Sequence, residues 1–285
     1  MSNAPEMLSE AALDQLVKSI GIPPRPSLLA DVQHEMASDD PDPRRIAQLV
    51  GKDVAMSASL LKAANSVFFG LKRKAETVEQ AATFLGLTQV SSLLMGLITR
   101  RAISAEGPAL SGFWDAATKR SLAMAKMAKA MRAAPPDVAH TFGLFCDIGI
   151  PMLMSRFPDY HETLLMAKGD SEHIFTAIED QRHGTNHTII GGFLARSWGL
   201  SSEVILAIRS HHDYEYMMES STPKTVSHLI ALCLVAERAI LMYQGVQTSP
   251  EWEKGGHWAC DILGIAEDEA VDWCDELALM FNAEH

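Results

Sequence analysis

Apolar residues recur along this chain every three or four positions, the spacing of amphipathic helices, and nowhere alternate for long enough to form a strand. Leu8, Ala12, Leu16 and Ile20 predict a first short helix, stopped by Gly21. The prolines between Ile22 and Pro26 impose an extended entry to the next helix. That helix is predicted over Leu28–Met36, then a turn-rich break from Asp39 to Pro43. Ile46, Leu49 and Val50 mark a short helix. Asp53 caps a longer one carrying Met56, Leu60, Leu61 and Ala64. Thr77 and Gln80 have capping-box spacing, and Gly86 is a stop. From Thr88 a single apolar stripe runs through Val90, Leu93, Leu94, Leu97 and Ile98.

The second half reads the same way. Phe113–Met131 is an alanine-rich helix whose Lys119, Arg120, Lys126, Lys129 and Arg132 read as a solvated basic face. Pro135 and Pro136 end it, and the next helix runs through the stretch Phe142–Gly149. Shorter helices are predicted over Tyr160–Lys168, Ile174–Arg182, Asn186–Trp198 and Glu203–His212, with Gly169, Gly184 and Gly199 as stops. Pro223 suits the first turn of a helix reaching Tyr243, and Glu269–Phe281 is a last amphipathic helix. The pattern predicts an all-α protein without internal repeats.

Composition narrows the class. The 285 residues suffice for one large domain or two ordinary ones, and a hydrophobic content of 47% can bury a substantial core. A net charge of −12 argues against general nucleic-acid binding and against an anionic membrane surface. Cys146, Cys233, Cys260 and Cys274 form no Cys-x-x-Cys pair, which suits a reducing compartment. No cationic stretch followed by an apolar core begins the sequence, and the longest apolar run, Leu229–Met242, is interrupted by Glu237 and Arg238. The expectation is a cytoplasmic protein.

The candidate chemistry centres on Asp147, set among Leu144, Phe145 and Ile148. A carboxylate there needs a cation, a metal or several hydrogen bonds. The histidines able to share a site with it are His183, His187, His211 and His212. His187 shares a helix face with Ile190, Gly191, Leu194 and Trp198, and His211 is in register with Val204 and Ile208, so both point inward. Two readings are open: nitrogen and oxygen ligands for iron, manganese or magnesium, or core histidines bonded to Asp147. Spacing alone favours the second. No phosphate-cradling glycine loop, nucleophile elbow or paired catalytic carboxylates are present.

In order and spacing these features resemble the HDOD domain, a bacterial relative of the HD phosphohydrolases. The resemblance covers residues 22–214. Its carriers are the proline-rich opening at Ile22–Pro26, Asp53 with Leu60, Leu61 and Ala64-Asn65-Ser66, and Ala81-Ala82 with Leu85-Gly86. Phe113-Trp114, Gly143–Gly149 and the run Glu179, His187, Gly191, Leu194, Trp198, His211-His212 complete it. Asn65 and Ser66 themselves read as residues that tie a turn. The resemblance implies that catalytic HD enzymes hold metals with an early histidine, a His-Asp pair and a late aspartate. Those positions fall here at Arg120, Cys146-Asp147 and Glu237. Arg120 would place a permanent cation where a metal would sit, and Cys146 is a poor ligand for hard metals.

The resulting expectation is a two-lobed helical HDOD fold. An N-terminal helix occupies residues 1–21. The HDOD domain spans 22–214, with an N-terminal lobe at 22–106 and an HD-like lobe at 107–214, and residues 215–285 form a helical extension. The groove between the lobes is the expected binding surface. The expected function is a non-catalytic signal-transduction module that binds a signalling protein or a cyclic nucleotide messenger, with Arg120 or Arg182 available to a phosphate. No catalytic residue and no cofactor are favoured. The alternative is an HD-type phosphohydrolase or phosphodiesterase binding manganese, iron or magnesium through Asp147, His183, His187, His211 and His212.

Overall fold

The computed structural model describes residues 26–66, 69–103, 108–247 and 249–282. The helix predicted over Leu8–Ile20 and most of the proline-rich opening lie outside them. Among the described residues all sixteen regular elements are α-helices, with no strand. The helices divide into two compact units.

The first unit holds α1 (Ser27–Met36), α2 (Pro43–Gly51), α3 (Val54–Ala64), α4 (Val78–Leu85) and α5 (Leu87–Ala102). Its boundaries are set by local chemistry. The Asp42 carboxylate accepts from the Arg44 amide at the start of α2, and Asp53 accepts from the Met56 amide at the start of α3 (3.0 Å). Thr77 accepts from the Gln80 amide (3.1 Å), while the Gln80 side chain reaches back to the Glu76 amide (2.8 Å). Gly86 has φ +89°, which lets α4 stop and α5 start one residue later. Leu29, Ile46, Val50, Leu60, Ala81, Val90 and Leu94 are fully buried and form this unit's core. Asn65 ties the chain after α3: its amide donates to Ala75 O (2.8 Å) and accepts from Ala75 N (2.7 Å). Ser66 continues that turn through its amide, bonded to Ala63 O (3.1 Å).

The second unit holds α6 (Pro108–Met131), α7 (Pro136–Phe145), α8 (Gly149–Arg156), α9 (Tyr160–Gly169), α10 (Thr176–His183), α11 (His187–Ser197), α12 (Ser202–Ser210), α13 (Tyr214–Met218), α14 (Lys224–Tyr243), α15 (Pro250–Leu263) and most of α16 (Glu267–Asn282). Helix α6 packs on α7 and α14, α11 on α8 and α12, and α14 on α15. Phe142, Phe145, Ile148, Trp198, Ile208 and Val235 are fully buried among them. Trp198 meets Phe145 edge to face, with ring centroids 6.0 Å apart. The two most apolar helical stretches, Pro136–Arg156 and Lys224–Tyr243, are 67% and 61% buried in this core, as core helices are.

Several expectations need correction. The helix through Phe142–Gly149 is not continuous: Cys146, Asp147 and Ile148 form a turn closed by the bond from Ile148 N to Phe145 O (3.0 Å). Pro136 does not merely end the preceding helix but occupies the first turn of α7. The basic face of α6 is not uniformly solvated. Lys119 and Arg120 are buried, and Lys126 pairs with Glu276 at 2.7 Å. Finally, α13 and α15 are helices that the apolar pattern did not mark individually within the helical extension expected over 215–285. The start of α15 carried a readable signal in Ser249-Pro250 followed by Glu251 and Glu253, a capping serine with proline and acids in the first turn.

Candidate functional site

Two glycines allow the second unit's helices to approach closely at Asp147. A Cβ on Gly143 would lie 2.8 Å from the Ser121 Cα of α6, and one on Gly149 would lie 2.1 Å from the His187 carbonyl oxygen of α11. Any larger residue would push these backbones apart. The turn between them therefore presents Asp147 to Arg120 on one side and to His187 on the other.

On the first side, Arg120 Nη1 lies 2.7 Å from Asp147 Oδ2 and 3.0 Å from Glu237 Oε1 of α14. Arg120 Nε–H donates to the Gly143 carbonyl (2.9 Å). The guanidinium is 4% exposed, while Asp147 and Glu237 keep 16% and 27% of their side chains open to solvent. Burial alone would raise the Asp147 carboxyl, but Arg120, the His211 bond and the charge of His187 outweigh it and hold it well below the usual carboxylate range. Burial raises Glu237, with Arg120 pulling it the other way and Asp147 adding to the rise. Cys146 and Cys233 lie in the same corner, and one ligating atom from each lies within 4.8 Å of one from Glu237. Burial pushes the Cys146 thiol well up, so it stays neutral and serves as packing.

On the second side three histidines converge. His211 Nε2 is 3.3 Å and His187 Nε2 3.5 Å from Asp147 Oδ1. His187 Nε2 is in turn 3.4 Å from His211 Nε2 and 3.2 Å from His212 Nε2. Each ring is held from behind. His187 Nδ1 meets Glu179 Oε2 at 2.7 Å, His211 Nδ1 meets the Ile208 carbonyl at 2.8 Å, and His212 Nδ1 meets Glu251 Oε2 at 2.7 Å. Glu179 is fully buried and also accepts from the Tyr160 hydroxyl and the His187 amide. Glu251 accepts from Tyr214 Oη (2.5 Å) and Lys254 Nζ (2.9 Å). Burial would raise Glu251, yet His212, Tyr214 and Lys254 hold it at about 2. Phe175 stacks on His212 with centroids 4.5 Å apart.

His183 does not join this group. Gly184, with φ +67°, ends α10 directly after it, so His183 and His187 stand on different helices. The His183 ring packs on Phe157 and its Nε2 bonds Thr163 Oγ1 (2.8 Å). Arg182 is engaged on the surface by Asp159 (2.8 Å) and Glu162 (3.9 Å). The residues that sequence reasoning missed are Tyr160, Cys233, Tyr214, Lys254 and above all Glu251.

The fold that carries this site is shared with other proteins. The HDOD domain family model matches residues 22–214, and the chain belongs to the HDOD family. A curated relative, an uncharacterised protein of Treponema pallidum (strain Nichols), is 26% identical over 204 residues, which is 71% of this chain and 40% of that one. The chain thus spans two fifths of that relative's length. Among solved structures, a proposed phosphohydrolase from Shewanella amazonensis SB2B has a TM-score of 0.72 at 20% identity, covering 98% of this chain and all of the other. A proposed signal-transduction protein from Marinobacter aquaeolei VT8 has a TM-score of 0.71 at 21% identity, covering 98% of this chain and 66% of its own. At these identities the likeness is one of fold. Glu237 and Glu251 both lie beyond the family-matched residues, so the polar cluster draws on chain outside them.

Proposed function

We propose that this chain is a regulatory HDOD module of the cytoplasm that does not hydrolyse phosphoesters and acts by binding a partner protein. The observation that carries this reading is the Arg120 guanidinium bridging Asp147 and Glu237 at 2.7 and 3.0 Å. These are the positions at which the HD resemblance implies metal ligands. A fixed organic cation meets the charge of both carboxylates but supplies neither a Lewis acid nor a bound hydroxide. Of the two partner classes, a protein fits better than a nucleotide messenger. Arg120 and Arg182, the cations that a phosphate would need, already face carboxylates.

A hydrolytic reading draws its support from the other side of Asp147, where three histidines gather. Turnover separates the two. Protein loaded with manganese or iron(II) is assayed on bis(p-nitrophenyl) phosphate and on cyclic dinucleotides beside an Asp147→Ala variant. Equal background rates are expected. A rate that Asp147→Ala abolishes would overturn the regulatory reading.

A further inference from the structure

Two of the chain's four cysteines, far apart in sequence, end side by side in the fold. Cys146 lies in the turn between α7 and α8, and Cys233 lies on α14. Both are buried, and their sulfurs lie within 4.8 Å of each other and of a Glu237 carboxylate oxygen. Helical period accounts for the meeting. Cys233 and Glu237 are four residues apart, so they share the face of α14 that Arg120 ties to the Asp147 turn. To reach the S–S length of about 2.05 Å the two sulfurs must close by less than about 3 Å, a movement that two short side chains can make.

Buried thiols are ordinarily inert packing. This pair differs in its surroundings. The bond from Cys146 and the charge of Arg120 favour a thiolate at Cys233, while burial and Glu237 outweigh them and keep it neutral at rest. Burial and the bond to Cys233 push the Cys146 thiol higher still. Cys233 is therefore the sulfur that ionises first, beside a fixed cation. The corner is also not sealed. Asp147 and Glu237 keep part of their side chains open to solvent, which gives a water-sized oxidant a way in. A bond between the two sulfurs would join the same two elements that Arg120 already bridges, so the fold keeps its neighbours when the bond forms.

We propose that Cys146 and Cys233 are a reversible disulfide pair, closed by hydrogen peroxide and reopened by a thiol reductant. The Cys233 thiolate attacks one peroxide oxygen; the O–O bond breaks, hydroxide leaves, and Cys233 becomes a sulfenic acid. The Cys146 sulfur then attacks the Cys233 sulfur, the S–S bond forms, and the sulfenic hydroxyl leaves as water with the Cys146 proton. Two thiols and one hydrogen peroxide give one disulfide and two waters, with two electrons passing from sulfur to oxygen. Disulfides of a reducing compartment are of this transient kind. Reduced, the turn and α14 are joined by the Arg120 bridge; oxidised, they carry a covalent brace beside it. The pair stands apart from the question of hydrolysis: thiol state tests the one and turnover the other, so either can fail alone.

The test uses the full chain, reduced, freed of reductant and exposed while folded to hydrogen peroxide at neutral pH, then denatured and alkylated. Alkylation of Cys260 and Cys274 alone is expected, with a linked peptide that carries Cys146 and Cys233. The denaturation midpoint should rise on oxidation, return with dithiothreitol, and stay where it is in peroxide-treated Cys233→Ser. A link between Cys260 and Cys274, sulfinic acid without a link, or four alkylated thiols would overturn the pair. A Cys146–Cys233 link without a rise in the midpoint would overturn the brace. The peptide map is made on the wild type and decides the pairing even if Cys233→Ser fails to fold.

Discussion

The two oxygens of one carboxylate face opposite solutions to the same problem. Asp147 Oδ2 meets a covalently tethered cation, Arg120, which Glu237 shares. Asp147 Oδ1 meets two imidazole nitrogens, of His187 and His211, with His212 behind His187. The arginine side is complete as the chain folds, and nothing needs to bind. The histidine side depends on its surroundings. An HD-type site with ligands on both sides could cradle two ions. Here Arg120 occupies one side, and the histidines face the other.

The largest expected effect comes from removing the residue common to both sides. Asp147→Ala strands Arg120 with only Glu237 and takes one ligand from the histidines. A loss of about 3–5 kcal/mol in chemical denaturation is expected. A loss below about 1 kcal/mol would show that the two sides do not depend on their shared carboxylate.

Arg120→Met separates the sides. It leaves Asp147 and Glu237 facing each other without a counter-charge, for a cost of about 3 kcal/mol. Added divalent metal should restore part of that stability, since the vacated corner then holds two carboxylates without a cation. If metal restores none, the two corners differ in more than their cation.

His140 on α7 sharpens the comparison from outside the cluster. It is buried, its Nδ1 has no hydrogen-bond partner, and burial lowers it from 6.5 to about 4. Between those values the unfolded chain binds a proton that the folded chain refuses. The stability is therefore whole above about pH 6.5 and falls as the pH drops toward 4, by up to about 3 kcal/mol. Denaturation midpoints of wild type and His140→Gln should converge over that window. Parallel pH profiles would show that the group does not titrate as its burial demands.

The smallest effect is expected at Glu179. Glu179→Gln keeps an acceptor for the Tyr160 hydroxyl and the His187 amide but removes a charge and sets an NH2 against His187 Nδ1, for about 1–2 kcal/mol. A larger loss would mean that the charge of Glu179, and not only its bonds, holds His187 in place.

Much of the fold is legible in the sequence because its causes are local. Asp53, Thr77, Asn186 and Ser201 cap the helices that begin after them, each by accepting from the amide three residues on. The inward faces of α11 and α12 come from helical period, which also placed His187 and His211 inside. The expectations that failed turned on particular contacts and turns rather than on period. Lys119 and Arg120 read as surface because charge on a helix usually is, and only the partners Asp115, Asp147 and Glu237 explain their burial. His183 looked like a ligand by its four-residue spacing from His187, until the left-handed Gly184 set them on separate helices.

By itself the sequence determined the all-helical class, most helix starts and stops, the family, and the central place of Asp147. Caps, prolines and apolar period act within a turn or two of chain, and a linear pattern records them. Only the tertiary structure decided that Arg120 fills one side of Asp147, that His212 rather than His183 completes the other, and that Glu251 stands behind it. Those pairings join residues up to 117 positions apart. They arise from which backbones can touch, at Gly143 against α6 and at Gly149 against α11, and no periodicity along the chain encodes that.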